Sequence, residues 1–127
     1  MGPDDEVYLK YLGGYGLGAY YLYRMQPAGA VKATVKAASL MVEKAAALFD
    51  AGEPCGAEAN MAKMLASEAS WRAGDVCMQT HGGFAFAKEY HIERKFRETR
   101  LYQIAPISTN LILSYIGEHV LGLPRSF

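Results

Sequence analysis

Apolar residues recur every three or four positions from about Ala30 onward, which is the spacing of one face of an α-helix. The apolar positions of this first stretch are Val31, Val35, Ala38, Val42, Ala45 and Phe49. The segment "DAGEPCG" follows, and its Gly52 and Pro54 are residues that end helices. The pattern therefore predicts a first helix from about Ala30 to about residue 50, with a single apolar stripe and alanines that let a neighbouring helix approach closely.

A second helical pattern covers about residues 56–80. Its larger apolar residues lie near one face and are interpreted as core; they are Met61, Met64, Leu65, Trp71 and Met78. Glu68 stands four residues before Arg72, a spacing that favours an ion pair on a helix surface. Gly82 and Gly83 come next, and because glycine readily adopts the left-handed conformation of a helix C-terminus, we expect the helix to end there.

Two shorter helices complete the pattern. One covers roughly residues 90–102 and is broken by Pro106. Its charged residues are spaced for two attractive pairs, Glu93 with Arg97 and Lys95 with Glu98. The last helix starts near residue 108, where Ser108 or Thr109 is expected to act as N-cap. Because neither strand alternation nor an internal repeat is found, the predicted fold class is all-α and like a four-helix bundle.

The first 29 residues do not follow this pattern, since they are rich in tyrosine and glycine and have no clean period. We predict an irregular segment, or a short helix from Ala19 to Arg24 that Pro27 stops. Tyrosines can stack on nucleobases, but few basic residues surround them, which favours packing against a partner surface. The chain is thus divided into an atypical segment, residues 1–29, and a helical domain, residues 30–127.

Composition narrows the classes of function. Hydrophobic residues make up 51% of the 127 residues, and Lys and Arg balance Asp and Glu at zero net charge, which argues against nucleic acid or an anionic membrane as partner. No apolar run is long enough to span a bilayer, and the polar N-terminus is unlike a signal peptide. Cys55 and Cys77 lack metal-site spacing, and the histidines are scattered, so we expect reduced thiols, a cytoplasmic location and no metal site.

The segment "QTHGG" is the best candidate for a ligand site. Gln79 and His81 can donate and accept hydrogen bonds, and Gly82 and Gly83 let a flat or charged ligand approach the main chain. Such a turn suits an adenine ring, a pyrophosphate or a neighbouring peptide, while a plain helix C-cap explains the same spacing. The three arginines that follow could clamp a phosphate, although the glutamates between them favour an internally paired surface; the arginines are Arg94, Arg97 and Arg100.

The longer segment "MQTHGGFAFAKEYHIERKFRETRLYQI" closely resembles the C-terminal signature of acyl-CoA dehydrogenases, flavoenzymes whose last domain is a four-helix bundle. In that family a Gln-x-x-Gly-Gly-x-Gly-aromatic turn precedes a Glu-Tyr-x-x-Glu-Arg-x-x-Arg-(Asp/Glu)-x-(Arg/Lys) helix. Ala85 stands where the third glycine is usual. The matching residues are Gln79, Gly82, Gly83 and Phe86 in the turn, and Glu89, Tyr90, Glu93, Arg94, Arg97, Glu98 and Arg100 in the helix. The resemblance extends from about Val31 to Phe127.

The resemblance implies a flavin enzyme that oxidises the Cα–Cβ bond of an acyl-CoA thioester and passes electrons to an electron-transfer flavoprotein. It implies FAD shared across the interface of a homo-oligomer, a dimer or a tetramer. In the family the Gln-x-x-Gly-Gly turn contacts the adenosine-diphosphate half of FAD held by a neighbouring subunit, which carries over to Gln79, Thr80, His81, Gly82 and Gly83. The start of the last helix lies on the flavin side, which makes Ser108, Thr109 and Asn110 candidates.

Two departures from the family shape the expected function. Many members carry the catalytic glutamate in a Tyr-Glu-Gly-Thr stretch after the charged helix, where this chain has residues 105–108, "APIS". Full-length relatives also have two further domains that hold most of the flavin and the substrate. We therefore expect a domain that is inactive alone and meets acyl-CoA only when completed. A non-catalytic oligomerisation module is the main alternative, and a nucleotide-binding module a weaker one.

Overall fold

The computed structural model describes residues 17–125, with side chains described from residue 27. It confirms the all-α fold class for this part of the chain. The four α-helices are α1 (Leu17–Asp50), α2 (Gly56–His81), α3 (Ile92–Ile104) and α4 (Thr109–His119). Two short 3-10 helices, Gly82–Phe86 and Lys88–Tyr90, connect α2 to α3. None of the helices in this part combines the length and hydropathy needed to cross a bilayer.

The prediction that Pro27 stops a helix is wrong. Residues 19–24 are helical as predicted, but they belong to α1, which continues through Pro27 to Asp50. A proline inside a helix removes one backbone hydrogen bond and costs about 3 kcal/mol, yet tertiary packing regularly outweighs such local preferences. Residues 17–29 are therefore helical rather than irregular. The predicted irregular structure before residue 17 lies outside the described residues, and the division at residue 29 stays a prediction.

All three other helices run along α2. The ion pair between Lys44 and Glu58, 3.3 Å from Nζ to Oε1, places the end of α1 beside the start of α2, so the two helices are antiparallel. On α2, Trp71 stacks on Phe96 of α3, with ring centroids 4.6 Å apart. A Cβ built on Gly56 would lie 2.7 Å from the Tyr115 hydroxyl of α4. Together these contacts place α3 and α4 one after the other along α2, and both run antiparallel to it.

Most of the buried residues between the helices are small. The apolar residues that are buried in the described part are Ala38, Ala62, Ala69, Ala85 and Ile112. The expected stripe of α1 is only partly covered, since Val42 is 50% exposed and Phe49 is 74% exposed. The larger apolar residues predicted as the core of α2 are partly buried. The alanines let the helix axes approach closely, which leaves little room for larger side chains between them.

The ion pairs are also partly different from those predicted. The pairs between Glu93 and Arg97 and between Lys95 and Glu98 form as the spacing indicates. The described ion pairs do not include one between Glu68 and Arg72, although the two residues are four apart on α2. Both of those side chains belong to exposed residues, where the gain from such a pair is small.

Gly74 is buried and α3 lies close against it, so its substitution tests this packing. A Cβ at Gly74 would lie 3.0 Å from Thr99 Oγ1 and 3.6 Å from Phe96 Cα. We expect Gly74→Val to lower the free energy of unfolding by about 2 kcal/mol, because overpacking forces α3 away. Thermal unfolding followed by circular dichroism measures this. Gly29→Ala is the control, since nothing lies within 4 Å of its Cβ and a helical alanine should be neutral or stabilising. Equal melting temperatures for both variants would contradict the close packing.

Candidate functional site

The turn after α2 requires glycine at its first position. Gly82 is the C-cap of α2, with φ 55° and ψ −133°, and its backbone N–H donates to the carbonyl oxygen of Met78. This combination of angles is open almost only to glycine, because a Cβ would collide with the backbone. The prediction that α2 ends at the two glycines is therefore confirmed.

The surface of the same turn is open. Nothing lies within 4 Å of a Cβ built on Gly82 or on Gly83, and both residues are exposed. Gly83 has no positive φ, so its backbone does not itself require glycine. Ala85 is 0% exposed, while Phe84 is exposed and contacts the Tyr90 ring in a tilted arrangement, with ring centroids 5.6 Å apart. The turn thus offers accessible main chain beside aromatic rings, which suits a flat ligand.

The polar side chains before the glycines differ in what they leave free for a ligand. The Thr80 hydroxyl donates to the Val76 carbonyl at 2.7 Å, so its proton is already used inside α2. His81 Nδ1 lies 3.0 Å from the Cys77 carbonyl oxygen. Because a carbonyl only accepts, Nδ1 carries the proton in this contact, and Nε2 is the nitrogen left for an external partner. Gln79 is exposed.

The start of α4 holds the second group of predicted residues. Ser108 is the N-cap, as predicted, and its hydroxyl oxygen accepts from the Leu111 N–H at 3.4 Å. The Thr109 hydroxyl donates to the Gln103 carbonyl at 3.3 Å. Both hydroxyls therefore stabilise the local backbone. Asn110 is exposed, so its amide is the side-chain group of the three that is best placed for a ligand.

The two groups of predicted residues lie at different levels of the molecule. Ile107, next to Ser108, accepts a hydrogen bond from Lys63 of α2. Lys63 and Gln79 are sixteen residues apart in the same continuous helix, which at 1.5 Å per residue is about 24 Å. Within one chain, the Gly-Gly turn and the start of α4 therefore cannot contact the same small group.

The sequence analysis did not single out Lys63. Its ammonium lies 2.6 Å from the Tyr102 carbonyl oxygen and 2.5 Å from the Ile107 carbonyl oxygen. These partners are distant in sequence, and neither periodicity nor charge spacing along α2 identifies them. The feature of the sequence that could have identified Lys63 is the presence of a lysine on an alanine-rich helix face.

The arginines of α3 are engaged within the chain. Arg94 pairs with Glu98 at 2.9 Å, and Arg97 pairs with Glu93. Arg100 donates to the Gln103 side chain at 2.6 Å and lies over the Trp71 ring, 5.2 Å from its centroid. These contacts support the internally paired surface over a phosphate clamp, because each guanidinium already has a partner.

Glu98 is the carboxyl whose ionisation responds to this pairing. Its pKa is lower than usual, first because Lys95 donates a hydrogen bond to it and then because Lys95 and Arg94 are positively charged; slight burial opposes them. The pairing therefore stabilises the fold above the ordinary carboxyl pKa, and this is lost as pH falls through the lowered value. We expect Lys95→Met to raise the pKa of Glu98 more than Arg94→Met does, as measured by NMR titration of the carboxyl carbon. An unchanged pKa in both variants would contradict this pairing.

The connection between α3 and α4 carries no carboxylate. Residues 105–108 are Ala105, Pro106, Ile107 and Ser108, and proline and isoleucine side chains cannot accept a proton. Among the described residues no group of three or more histidine, cysteine or acidic side chains could hold a metal ion. Cys55 and Cys77 are free thiols; Cys55 is partly buried and Cys77 is exposed.

The family model and the similar proteins found by comparison with known proteins indicate the same family. A family model described as "Acyl-CoA dehydrogenase, C-terminal domain" matches residues 13–121, starting earlier than the resemblance from Val31 suggested. Acyl-CoA dehydrogenase FadE12 of Mycobacterium tuberculosis is 46% identical over 95 residues, which cover 73% of this chain and 24% of that protein. The mitochondrial short/branched chain specific acyl-CoA dehydrogenase of Rattus norvegicus is 34% identical over 90 residues, 71% of this chain and 21% of that protein.

The similar proteins also include reductases. The 3-(aryl)acrylate reductase of Clostridium sporogenes is 40% identical over 70 residues, which cover 55% of this chain and 19% of that protein. This chain thus spans about a quarter or less of the length of the curated relatives that it matches.

Proposed function

The chain belongs to the acyl-CoA dehydrogenase family, as its C-terminal helical domain, and we propose that it forms the helical part of an FAD site in a flavin-dependent enzyme acting on acyl-CoA thioesters. The observation that carries this proposal is the exposed Gly82–Gly83 turn, where main chain is accessible between a free glutamine side chain and exposed aromatic rings. Bound FAD would supply the hydride acceptor for the Cα–Cβ bond.

The residues of the turn fit the adenosine-diphosphate half of FAD. The open space above Gly82 and Gly83 admits a phosphate or a flat ring to the backbone. The Gln79 amide can donate to or accept from such a group and His81 Nε2 can accept from it, whereas the Thr80 proton is already used by Val76. We therefore assign the contacts of this turn to Gln79, His81 and the glycine backbone, with Thr80 as a support of α2.

The start of α4 would serve a different part of the cofactor arrangement. It lies about 24 Å along α2 from Gln79. If the turn contacts FAD held by a neighbouring subunit, the start of α4 faces either the far end of that cofactor or a second cofactor. Asn110 is the side chain that we assign to this contact, because Ser108 and Thr109 bond to their own backbone.

We propose that the proton-abstracting carboxylate comes from outside residues 105–108. A general base must come within hydrogen-bond distance of the proton that it removes, and this connection holds no group that can do so. The relatives include both dehydrogenases and acrylate-type reductases. This helical domain is therefore compatible with both oxidation and reduction of the C–C bond. We propose that the rest of the assembly determines which of the two reactions takes place.

The exposed apolar surface supports the proposal that this chain binds protein partners. Of the described residues, sixteen large hydrophobic ones are exposed, whereas Ile112 is the large side chain that is fully buried. Surfaces of this kind are covered in protein–protein interfaces. We propose that the chain functions within a homo-oligomer, together with the flavin- and substrate-holding domains. Acyl-CoA and an electron-transfer flavoprotein would be its partners in that assembly.

A non-catalytic oligomerisation module remains the second candidate, and the same exposed apolar surface favours it. Purification followed by measurement of flavin absorbance, before and after FAD is added, separates the two. Flavin that stays with the protein through size-exclusion chromatography supports the FAD site. A stable dimer or tetramer that takes up no FAD supports the module instead. Binding of ADP without FAD would indicate a nucleotide site only.

A further inference from the structure

Lys63 joins two helices that follow it far along the sequence. Its ammonium donates to the carbonyl oxygen of Tyr102, 39 residues later, at 2.6 Å, and to that of Ile107, 44 residues later, at 2.5 Å. Tyr102 lies in the last turn of α3, and Ile107 directly precedes the N-cap Ser108 of α4. One side chain of α2 thus holds both ends of the connection between α3 and α4.

The chemistry of this contact suits a lysine. The last carbonyls of a helix lack backbone partners and form the negative end of the helix dipole, where a cation is favourable. An ammonium has three donors and can serve two carbonyls at once. The ion pairs of the described residues do not include Lys63, so its charge is directed to the carbonyls rather than to a carboxylate.

The other polar contacts of the connection are internal to it. Thr109 bonds to the Gln103 carbonyl, and Ser108 caps the first turn of α4. These bonds set the shape of the connection but do not attach it to α2. Lys63 provides a polar attachment to α2, and its loss would let residues 103–108 and the start of α4 shift relative to α2, so that their internal hydrogen bonds open more often.

We propose that Lys63 is a positioning residue, which fixes the connection 103–108 against α2 and thereby orients Asn110 and the first turn of α4 toward the bound cofactor. The orientation toward FAD rests on the function proposed above, whereas the attachment to α2 does not. Lys63 is itself directed at main-chain oxygens, so it acts through the segment that it holds rather than by contact with a ligand.

Amide hydrogen exchange of the full chain tests the attachment, with Lys63→Met as the variant because it keeps the apolar stem and removes the ammonium. The reporter amides are those of Ala105, Leu111 and Ile112, which are hydrogen-bonded at the ends of the connection. We expect hydrogen exchange at these amides to accelerate about tenfold, since the variant loses the two charge-assisted hydrogen bonds that Lys63 donates. Lys63→Arg, which retains the charge and the donors, should keep most of the protection.

Lys36→Met is the matched control, since Lys36 is an exposed lysine on α1. It should leave exchange at the connection unchanged. Exchange rates in Lys63→Met that equal those of the wild-type chain would overturn the proposal. An equal acceleration of exchange in α1 and α2 would also overturn it, because that indicates general destabilisation.

A second measurement repeats the exchange experiment with excess FAD. If FAD protects Leu111 in the wild-type chain but not in Lys63→Met, while amides of the Gly-Gly turn respond alike in both, the orienting role is supported. Equal protection of Leu111 in both chains would overturn it. If FAD protects neither region in the wild-type chain, the proposed FAD function fails, and the attachment is judged by the first experiment alone.

Discussion

Gly83→Val is expected to weaken FAD binding roughly a hundredfold while leaving the melting temperature within about 2 °C of the wild-type value. Gly83 is exposed, has no positive φ and has nothing within 4 Å of a built Cβ, so the folded chain accommodates a side chain there. A ligand that contacts this backbone cannot bind in the same way, because the valine methyl groups occupy the space that the ligand needs. Fluorescence titration of FAD, with ADP as a second ligand, measures the loss.

The neighbouring Gly82 provides the contrast for this experiment. Its φ of 55° and ψ of −133° would strain any other residue, so Gly82→Ala is expected to cost about 1–3 kcal/mol of stability whatever binds there. A loss of binding in Gly82→Ala would mix strain with blocked access, whereas Gly83→Val isolates access. FAD affinity in Gly83→Val equal to that of the wild-type chain would exclude the turn as a dinucleotide contact.

Local rules predicted the ends of the helices well. Gly82 ends α2 because its left-handed φ is a property of glycine itself, and Ser108 caps α4 because its side chain reaches a backbone N–H three residues on. The pair between Glu93 and Arg97 likewise depends only on spacing within one helix. In each case the cause lies within a few residues of the effect, so the sequence carries it directly.

Pro27 shows where a local rule fails. Proline disfavours a helix interior, but α1 continues through it, because the stability of a long helix depends on what packs along its length. The prediction of the core was only partly confirmed, for a related reason. Periodicity identifies the apolar face of a helix, but not which part of that face another helix covers. Here alanines and Gly74 form the contacts, and residues such as Val42 and Phe49 are left exposed.

The candidate site was predicted as a set of residues but not as an arrangement in space. Resemblance to a family identified Gln79 and Asn110 together, but the start of α4 is held at Lys63, about 24 Å along α2 from Gln79, which depends on how α4 packs against that helix. The role of Lys63 was missed because its partners are carbonyl groups, which every residue has and no pattern marks. Sequence spacing is informative about contacts within a helix, whereas contacts between helices require the packing itself.

The apolar face of α3 is expected to lie in a subunit interface, and Leu101→Glu combined with Ile104→Glu should therefore turn the oligomer into a monomer. The two side chains are 57% and 58% exposed and are three residues apart, so they share one face of the helix. Burial of a large apolar side chain contributes about 1.5–3 kcal/mol, so placing two charges there should weaken association at least about a hundredfold. Light scattering after size-exclusion chromatography measures the molecular mass directly.

Phe49→Glu is the matched control for this interface, because Phe49 is 74% exposed but belongs to the far end of α1 rather than to α3. It should leave the oligomer intact. Circular dichroism of the double variant should show unchanged helix content, since exposed positions of a helix tolerate glutamate. A double variant that stays oligomeric would show that α3 is not in the interface. Dissociation of the Phe49→Glu variant instead would place the contact on α1. Both faces carry large exposed apolar side chains, and the charge substitutions separate their roles because each acts on one face at a time.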